Sequence, residues 1–151
     1  LYLVSNTGNK LGAQWLQNFL GSEYKVHTLE NMYSYVHLDS TISLLREGLC
    51  LLNAERVNEY NIPEPLKSWD KIWCSDMVDI GYYPNYNHAS IWVGINLLSL
   101  NSNLVICDEN QIELHKQLYK NNIEVIPMRL RHARTLGGSF HCVTLDTWRE
   151  D

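Results

Sequence analysis

The sequence predicts an α/β fold assembled from repeated strand and helix units, and three observations carry that reading. An apolar run, Leu1 to Val4, feeds a stretch from about Gly8 to Leu20 in which Leu11, Trp15, Phe19 and Leu16, Leu20 recur on one helical face. A second run, Leu104–Cys107, leads into a stretch carrying Ile112, Leu114, Leu118 and Tyr119 at similar spacing. The first forty-five residues and the last fifty also follow one order of strand, helix, strand, polar loop, histidine-bearing segment and strand. That self-similarity, with a period of about a hundred residues, is the pattern of a fold built by repetition.

Between these units the remaining elements follow from local chemistry. Tyr24 to Leu29 alternates as a strand, and Thr41–Leu45 and Leu49–Leu52 read as a hairpin punctuated by Glu47-Gly48. After the proline-containing stretch Ile62-Pro63-Glu64-Pro65, strands over Lys71–Ser75 and Ile91–Leu100 bracket a tyrosine- and asparagine-rich loop, Gly81 to His88, of the kind that often faces a ligand or partner. Asp108 followed three residues later by Gln111 has the form of a capping box opening a helix. Ile123–Pro127 closes the unit as a strand.

Bulk properties narrow the functional classes. A chain of 151 residues suits one domain, burying roughly 68–70% of the surface exposed by its unfolded form. The net charge is −5, and the densest basic cluster is Met128-Arg129-Leu130-Arg131-His132-Ala133-Arg134, which argues against a nucleic-acid partner. The longest nearly apolar run, Ile91 to Leu100, falls well short of the roughly 20 residues a bilayer demands, so no membrane partner is expected. Cys50, Cys74, Cys107 and Cys142 are irregularly spaced and three of them sit in apolar runs, which fits reduced thiols and a cytoplasmic location. With no initiator Met and an opening inside an apparent strand, the chain reads as an excerpt, and no signal-peptide pattern is visible.

Two segments carry candidate chemistry. In Tyr35-Val36-His37-Leu38-Asp39-Ser40-Thr41, an extended backbone would put His37 and Asp39 on one face and Val36 and Leu38 on the other. The plainer reading is a turn histidine bonded to a neighbouring carboxylate. In Gly137-Gly138-Ser139-Phe140-His141-Cys142-Val143-Thr144, a cysteine follows a glycine turn at the head of a β-branched run. As a strand this segment would group Phe140, Cys142 and Thr144 and turn His141 away. A nucleophilic Cys142 requires a nearby imidazole or cation, for which His37 is the candidate; the plainer alternative is a buried hydrophobe. No metal-ligand spacing and no phosphate loop is present, so neither a metal nor a nucleotide is expected.

These segments resemble a known family. His-Leu-Asp-Ser-Thr at 37–41 and Leu-Gly-Gly-Ser-Phe-His-Cys-Val-Thr-Leu-Asp at 136–146 are similar to the signatures of L-arginine amidinotransferases, as are Asn-Ala-Glu-Arg at 53–56 and Ala-Ser-Ile-Trp-Val-Gly-Ile-Asn at 89–96. The family includes glycine amidinotransferase and the inosamine-phosphate amidinotransferases. The resemblance implies a pentein-type fivefold pseudosymmetric α/β propeller, of which residues 1–151 would be a single partial domain holding about the C-terminal three of five repeats. It implies a covalent amidino-cysteine reaction with no cofactor, acting on L-arginine and an amine acceptor. Cys142 would be the nucleophile, His37 the general acid and base, Asp39 the ligand of the guanidinium, and Arg56 with Ser90 the carboxylate site. A homodimer and a further catalytic aspartate upstream of this chain are also implied.

Two departures are visible. Ser139 stands where the family has a third glycine, and Ser34-Tyr35-Val36 differs from the run found in the glycine enzyme. The sequence therefore looks closer to secondary-metabolite enzymes of aminocyclitol and saxitoxin-type toxin pathways. Competing readings are a guanidine hydrolase of the same superfamily and a non-catalytic binding module. For Arg56 the alternative is an ion pair with Glu55 or Glu59, and for Ser90 an ordinary strand position.

Overall fold

Apolar runs of β-branched and leucine residues pair into three small sheets, described in a computed structural model for residues 1–148 except Tyr33, Tyr35 and Val36. The expected faces of Val36, and the Tyr35-Val36 part of the divergent loop, lie outside the described residues. β1 (Tyr2–Leu3) and β2 (Thr28–Leu29) are parallel and joined by α1 (Lys10–Leu20). Asn9 opens α1 by accepting the Gly12 N–H on Oδ1 at 2.9 Å, and Gly21 ends it at φ 74°. The strand expected over Tyr24–Leu29 is thus confined to its last two residues.

β3 (Ile42–Arg46) and β4 (Leu49–Asn53) form the expected hairpin, with Gly48 at φ 79° supplying the turn, and β5 (Asp70–Cys74) lies parallel to β4. β6 (Leu98–Asn101) and β7 (Leu104–Asp108) make a second hairpin, and β8 (Glu124–Met128) returns parallel to β7 after α2 (Ile112–Lys120). Both hairpins carry a register shift near the end of their first strand. The two three-stranded sheets therefore share one topology, and the repeat seen here is about half the expected hundred residues: Ile42 and Leu98 open equivalent strands. Longer-period similarity in the sequence arises because strand and helix alternate throughout.

Every residue of β4 is buried. Leu49 and Leu51 join a cluster with Ile72, Trp92, Ile95, Val105, Leu114 and Leu118, while Cys50 and Leu52 point the other way onto Leu29, Ile42, Val57 and Leu66. A strand covered on both faces must be apolar throughout, which explains the unbroken Leu-Cys-Leu-Leu run. Burial of Leu51 and Leu52, each at 0% exposure, contributes about 1.5–3 kcal/mol per side chain.

Two expectations are corrected. Ile91–Ile95 is a 3₁₀ helix and only Leu98–Asn101 is strand, because Trp92, Val93 and Ile95 are buried together in an apolar run that has no period of its own. The Asp108–Gln111 pair is not a capping box: Asp108 Oδ1 accepts from Asn110, and the Gln111 amide bonds the backbone of Val78. The apolar face of α1 is uncovered at Leu11, Trp15 and Phe19, which are 76%, 65% and 74% exposed, and half-buried at Leu16 and Leu20. Among the described residues no helix is long and apolar enough to cross a membrane.

Candidate active site

The site is assembled from four connections, each fixed by its own backbone bonds. His37 is extended (φ −112°, ψ 142°) and leads into a 3₁₀ turn, Leu38–Ser40, closed by the Thr41 N–H donating to Leu38 at 2.8 Å. His37 and Asp39 do not share the face of a strand, because the chain turns between them. Thr41 then accepts the Asn53 N–H at 3.0 Å, which anchors this turn to the end of β4.

The second connection follows β4. The Asn53 backbone carbonyl accepts from the N–H groups of Arg56 and Val57, while its side chain accepts the Glu55 N–H at 2.9 Å. This tight turn aims Arg56 at the first connection. Its guanidinium donates to Thr41 Oγ1 at 2.9 Å, to Ser40 Oγ at 3.4 Å and to Ser90 Oγ at 3.4 Å. Glu55, one expected partner of Arg56, instead accepts Trp92 Nε1 at 2.7 Å and ties this turn to the third connection.

The third connection runs from His88 to Asn96. Arg134 of α3 (Ala133–Leu136) holds its start: the Arg134 carbonyl accepts the His88 and Ala89 N–H groups, and its Nε donates to Ala89. Arg134 is itself paired with Asp79. The other arginines of the basic cluster are similarly engaged, Arg129 with Glu109 and Arg131 above the Tyr82 ring at 4.7 Å. Ser90 caps the 3₁₀ helix rather than occupying a strand, and Ile95 accepts from Ser43 Oγ at 2.9 Å.

The cysteine lies on the fourth connection. Gly137 ends α3 in the left-handed region at φ 83°. From Ser139 the chain coils: Val143 N–H donates to Ser139 at 3.1 Å and Thr144 N–H to His141 at 3.2 Å. The strand expected over this segment is absent, and with it the separation of His141 from the site. His141 Nδ1 meets Asp39 Oδ2 at 2.9 Å, and the Cys142 thiol reaches the same oxygen at 3.5 Å. Cys142 is exposed, whereas Cys50, Cys74 and Cys107 are buried in their strands. A Cβ added at Gly138 would lie 2.6 Å from Cys142 Cβ, so this glycine is required by close approach.

These connections enclose a cavity of about 390 Å³ whose lining includes His37, Asp39, Arg56, Ser90, Asn96 and Cys142. All five residues singled out from the sequence are thus brought together. His37, Asp39 and Cys142 offer ligand-type atoms within 4.8 Å of one another, a set that could also accept a thiophilic cation and that linear spacing does not reveal. Partial desolvation of its sulfur in the cavity pushes the Cys142 thiol above its usual range, the Asp39 charge and hydrogen bond add to the push, and the Ser139 backbone N–H and the Asn96 side chain oppose it. Burial alone raises Cys74 to about 12.

Sequence reasoning missed Asn96 and His141. Asn96 Oδ1 accepts the N–H groups of both Ser139 and Cys142 at 3.2 Å, so it shapes the turn that presents the thiol. The only sequence trace is a polar residue interrupting an apolar run.

Known proteins are similar to this chain over nearly its whole length. Inosamine-phosphate amidinotransferase 1 of Streptomyces glaucescens is 50% identical over 149 residues, 99% of this chain and 43% of that protein. The chain is homologous to the amidinotransferases. Among solved structures, the inosamine-phosphate amidinotransferase of Streptomyces griseus matches with a TM-score of 0.95 at 47% identity, covering 99% of this chain and 43% of that one. An amidinotransferase of Microseira wollei, from the saxitoxin biosynthetic pathway, matches with a TM-score of 0.82 at 32% identity, over 99% of this chain and 44% of its own. The chain therefore spans less than half the length of the amidinotransferases it matches. No family model matches the sequence.

Proposed function

We propose that the protein carrying this chain transfers the amidino group of L-arginine to an acceptor amine through an amidino-cysteine intermediate. The observation that supports this most directly is one cavity holding a nucleophilic sulfur, an imidazole, a carboxylate and a guanidinium: Cys142, His37, Asp39 and Arg56. A substrate with a cationic guanidinium and an anionic carboxylate finds a complementary charge for each end, Asp39 for the first and Arg56 with Ser90 for the second.

In the first half-reaction the Cys142 thiol proton passes to His37 and the thiolate attacks the guanidinium carbon. A carbon–sulfur bond forms, the carbon–nitrogen bond to the ornithine side chain breaks, and His37 returns a proton to the leaving amine. In the second, an acceptor amine loses a proton to His37 and attacks the amidino carbon, and the sulfur leaves as thiolate. Asp39 holds the planar cation against the sulfur in both steps. No metal or organic cofactor enters this scheme.

The homology supports an acceptor from secondary metabolism, an aminocyclitol or toxin precursor, rather than glycine. We further propose that the two topologically equivalent sheets are consecutive units of a pentein-type fivefold propeller, with residues 1–151 as one partial domain, and that the whole protein is a cytoplasmic homodimer.

The test is intact-mass spectrometry of the whole protein after brief incubation with arginine and an acid quench, beside Cys142→Ala. A gain of one amidino group, lost in the variant, supports transfer. Citrulline or ammonia instead of ornithine and a guanidinylated amine would replace transfer by hydrolysis. Absence of any adduct, with Cys142 inert to alkylation, would favour a non-catalytic binding role.

A further inference from the structure

Asn96 is 1% exposed, yet it lines the same cavity as Cys142. Three backbone groups of the cysteine turn converge on this one residue. Ser139 and Cys142 donate their N–H groups to Oδ1, both at 3.2 Å, and His141 donates to the Asn96 carbonyl at 3.4 Å. The sense of the amide is therefore determined: exchanging its oxygen and nitrogen would set an NH₂ against two N–H donors.

With Oδ1 committed to the turn, Nδ2 is left as a buried donor with no partner among the described residues. A buried amide N–H without an acceptor costs free energy in any state that leaves it so. The cost disappears in a state that presents an acceptor. The neutral Cys142 thiol is a donor, bonded to Asp39, but its thiolate is an acceptor only.

We propose that Asn96 Nδ2–H is a donor reserved for the Cys142 thiolate, so that one carboxamide both builds the nucleophile's turn and stabilises its charged form. The nearby Asn96 side chain draws the thiol downward, against the larger upward effects of desolvation and Asp39. The other titratable and charged groups around the sulfur are His37 beside it, His141 through Asp39, and Arg56 and His88 across the cavity. None of these changes between the variants below.

The test uses the whole protein and no arginine. Iodoacetamide labelling of Cys142 is followed by mass spectrometry as a function of pH in wild type and Asn96→Asp. Aspartate keeps an oxygen for the two turn N–H groups but replaces the donor with a second acceptor. The expected result is a labelling midpoint at least one pH unit higher and a rate near pH 8 reduced about tenfold. An unchanged midpoint in folded Asn96→Asp overturns the proposal; because the added carboxylate charge also raises the midpoint, a rise supports it only together with a titration-linked shift of the Asn96 Nδ2 resonance in wild type.

Should that variant not fold, wild type decides. The Asn96 Nδ2 resonance, in protein labelled with ¹⁵N at asparagine, must shift with the thiol's midpoint and lose that shift in Cys142→Ala; a resonance that ignores the titration overturns the proposal. Because neither readout requires amidino transfer, this inference and the transfer reading can fail separately.

Discussion

Asp39 Oδ2 serves two donors, His141 Nδ1 and the Cys142 thiol, and that sharing controls the sulfur. The thiol's proton affinity is raised first by burial, then by the Asp39 charge and hydrogen bond, so its thiolate fraction near neutral pH lies below that of a free cysteine. Asp39→Asn removes both Asp39 contributions. The labelling midpoint should fall and alkylation at pH 7.5 should quicken several-fold, while the proposed amidino transfer should be lost, since the guanidinium would then have no anion to hold it. Slower alkylation in that variant would show that Asp39 does not suppress ionisation. Gly138→Ala acts sterically, through a Cβ 2.6 Å from that of Cys142. A displacement near 1 Å can cost about a hundredfold, so kcat/KM should fall by about that factor with far-UV circular dichroism unchanged. His37, Asp39, Arg56, Ser90 and Cys142 could be picked out because their motifs are contiguous in sequence. Asn96 and His141 lie in the same motifs, but their roles could not be read there, since they arise from a coil at 139–144 that β-branched residues disguise as a strand.

The hairpin of β3 and β4 offers the opposite case from Gly138. Gly48 sits at φ 79° with nothing within 4 Å of an added Cβ, so Gly48→Ala pays only in backbone strain. A loss of about 1–2 kcal/mol, read as a lower thermal midpoint, should leave Cys142 labelling unchanged. Leu51→Ala removes a side chain at 0% exposure from the centre of β4 and should cost about 2–5 kcal/mol by denaturant unfolding. Strands of this kind were legible because turn residues bound them. The 3₁₀ helix at Ile91–Ile95 was not, since four of its five residues are buried and neither a period of two nor one of 3.6 survives in its pattern. The register of Asp108 failed for another reason: an Asx turn uses the same residue types as a helix cap.

Across the whole molecule, three buried thiols titrate far from the usual range: Cys50 near 11, and Cys74 and Cys107 near 12, each chiefly through burial. Their folded values lie above an unfolded value of about 8.5, so the stability they contribute is intact below that pH and is lost as pH rises toward 11 to 12. Thermal midpoints should decline over that interval, and less steeply in Cys74→Ala. The uncovered Leu11, Trp15 and Phe19 stripe, with Trp15 and Phe19 stacked at 5.6 Å, is an apolar patch that should make the 151-residue chain self-associate when prepared alone. Sedimentation should show a polydisperse species that Trp15→Glu with Phe19→Lys makes uniform. The cavity follows from the shared topology of the sheets. The His37 connection precedes β3, the Ser90 to Asn96 connection precedes β6, and the Cys142 coil comes at the matching place after β8. Each structural unit thus lends at least one loop to a common centre, and the β3–β5 unit adds the Arg56 turn from its interior. New substrate ranges can then evolve by altering a single loop, with the loops that carry Cys142 and His37 left intact.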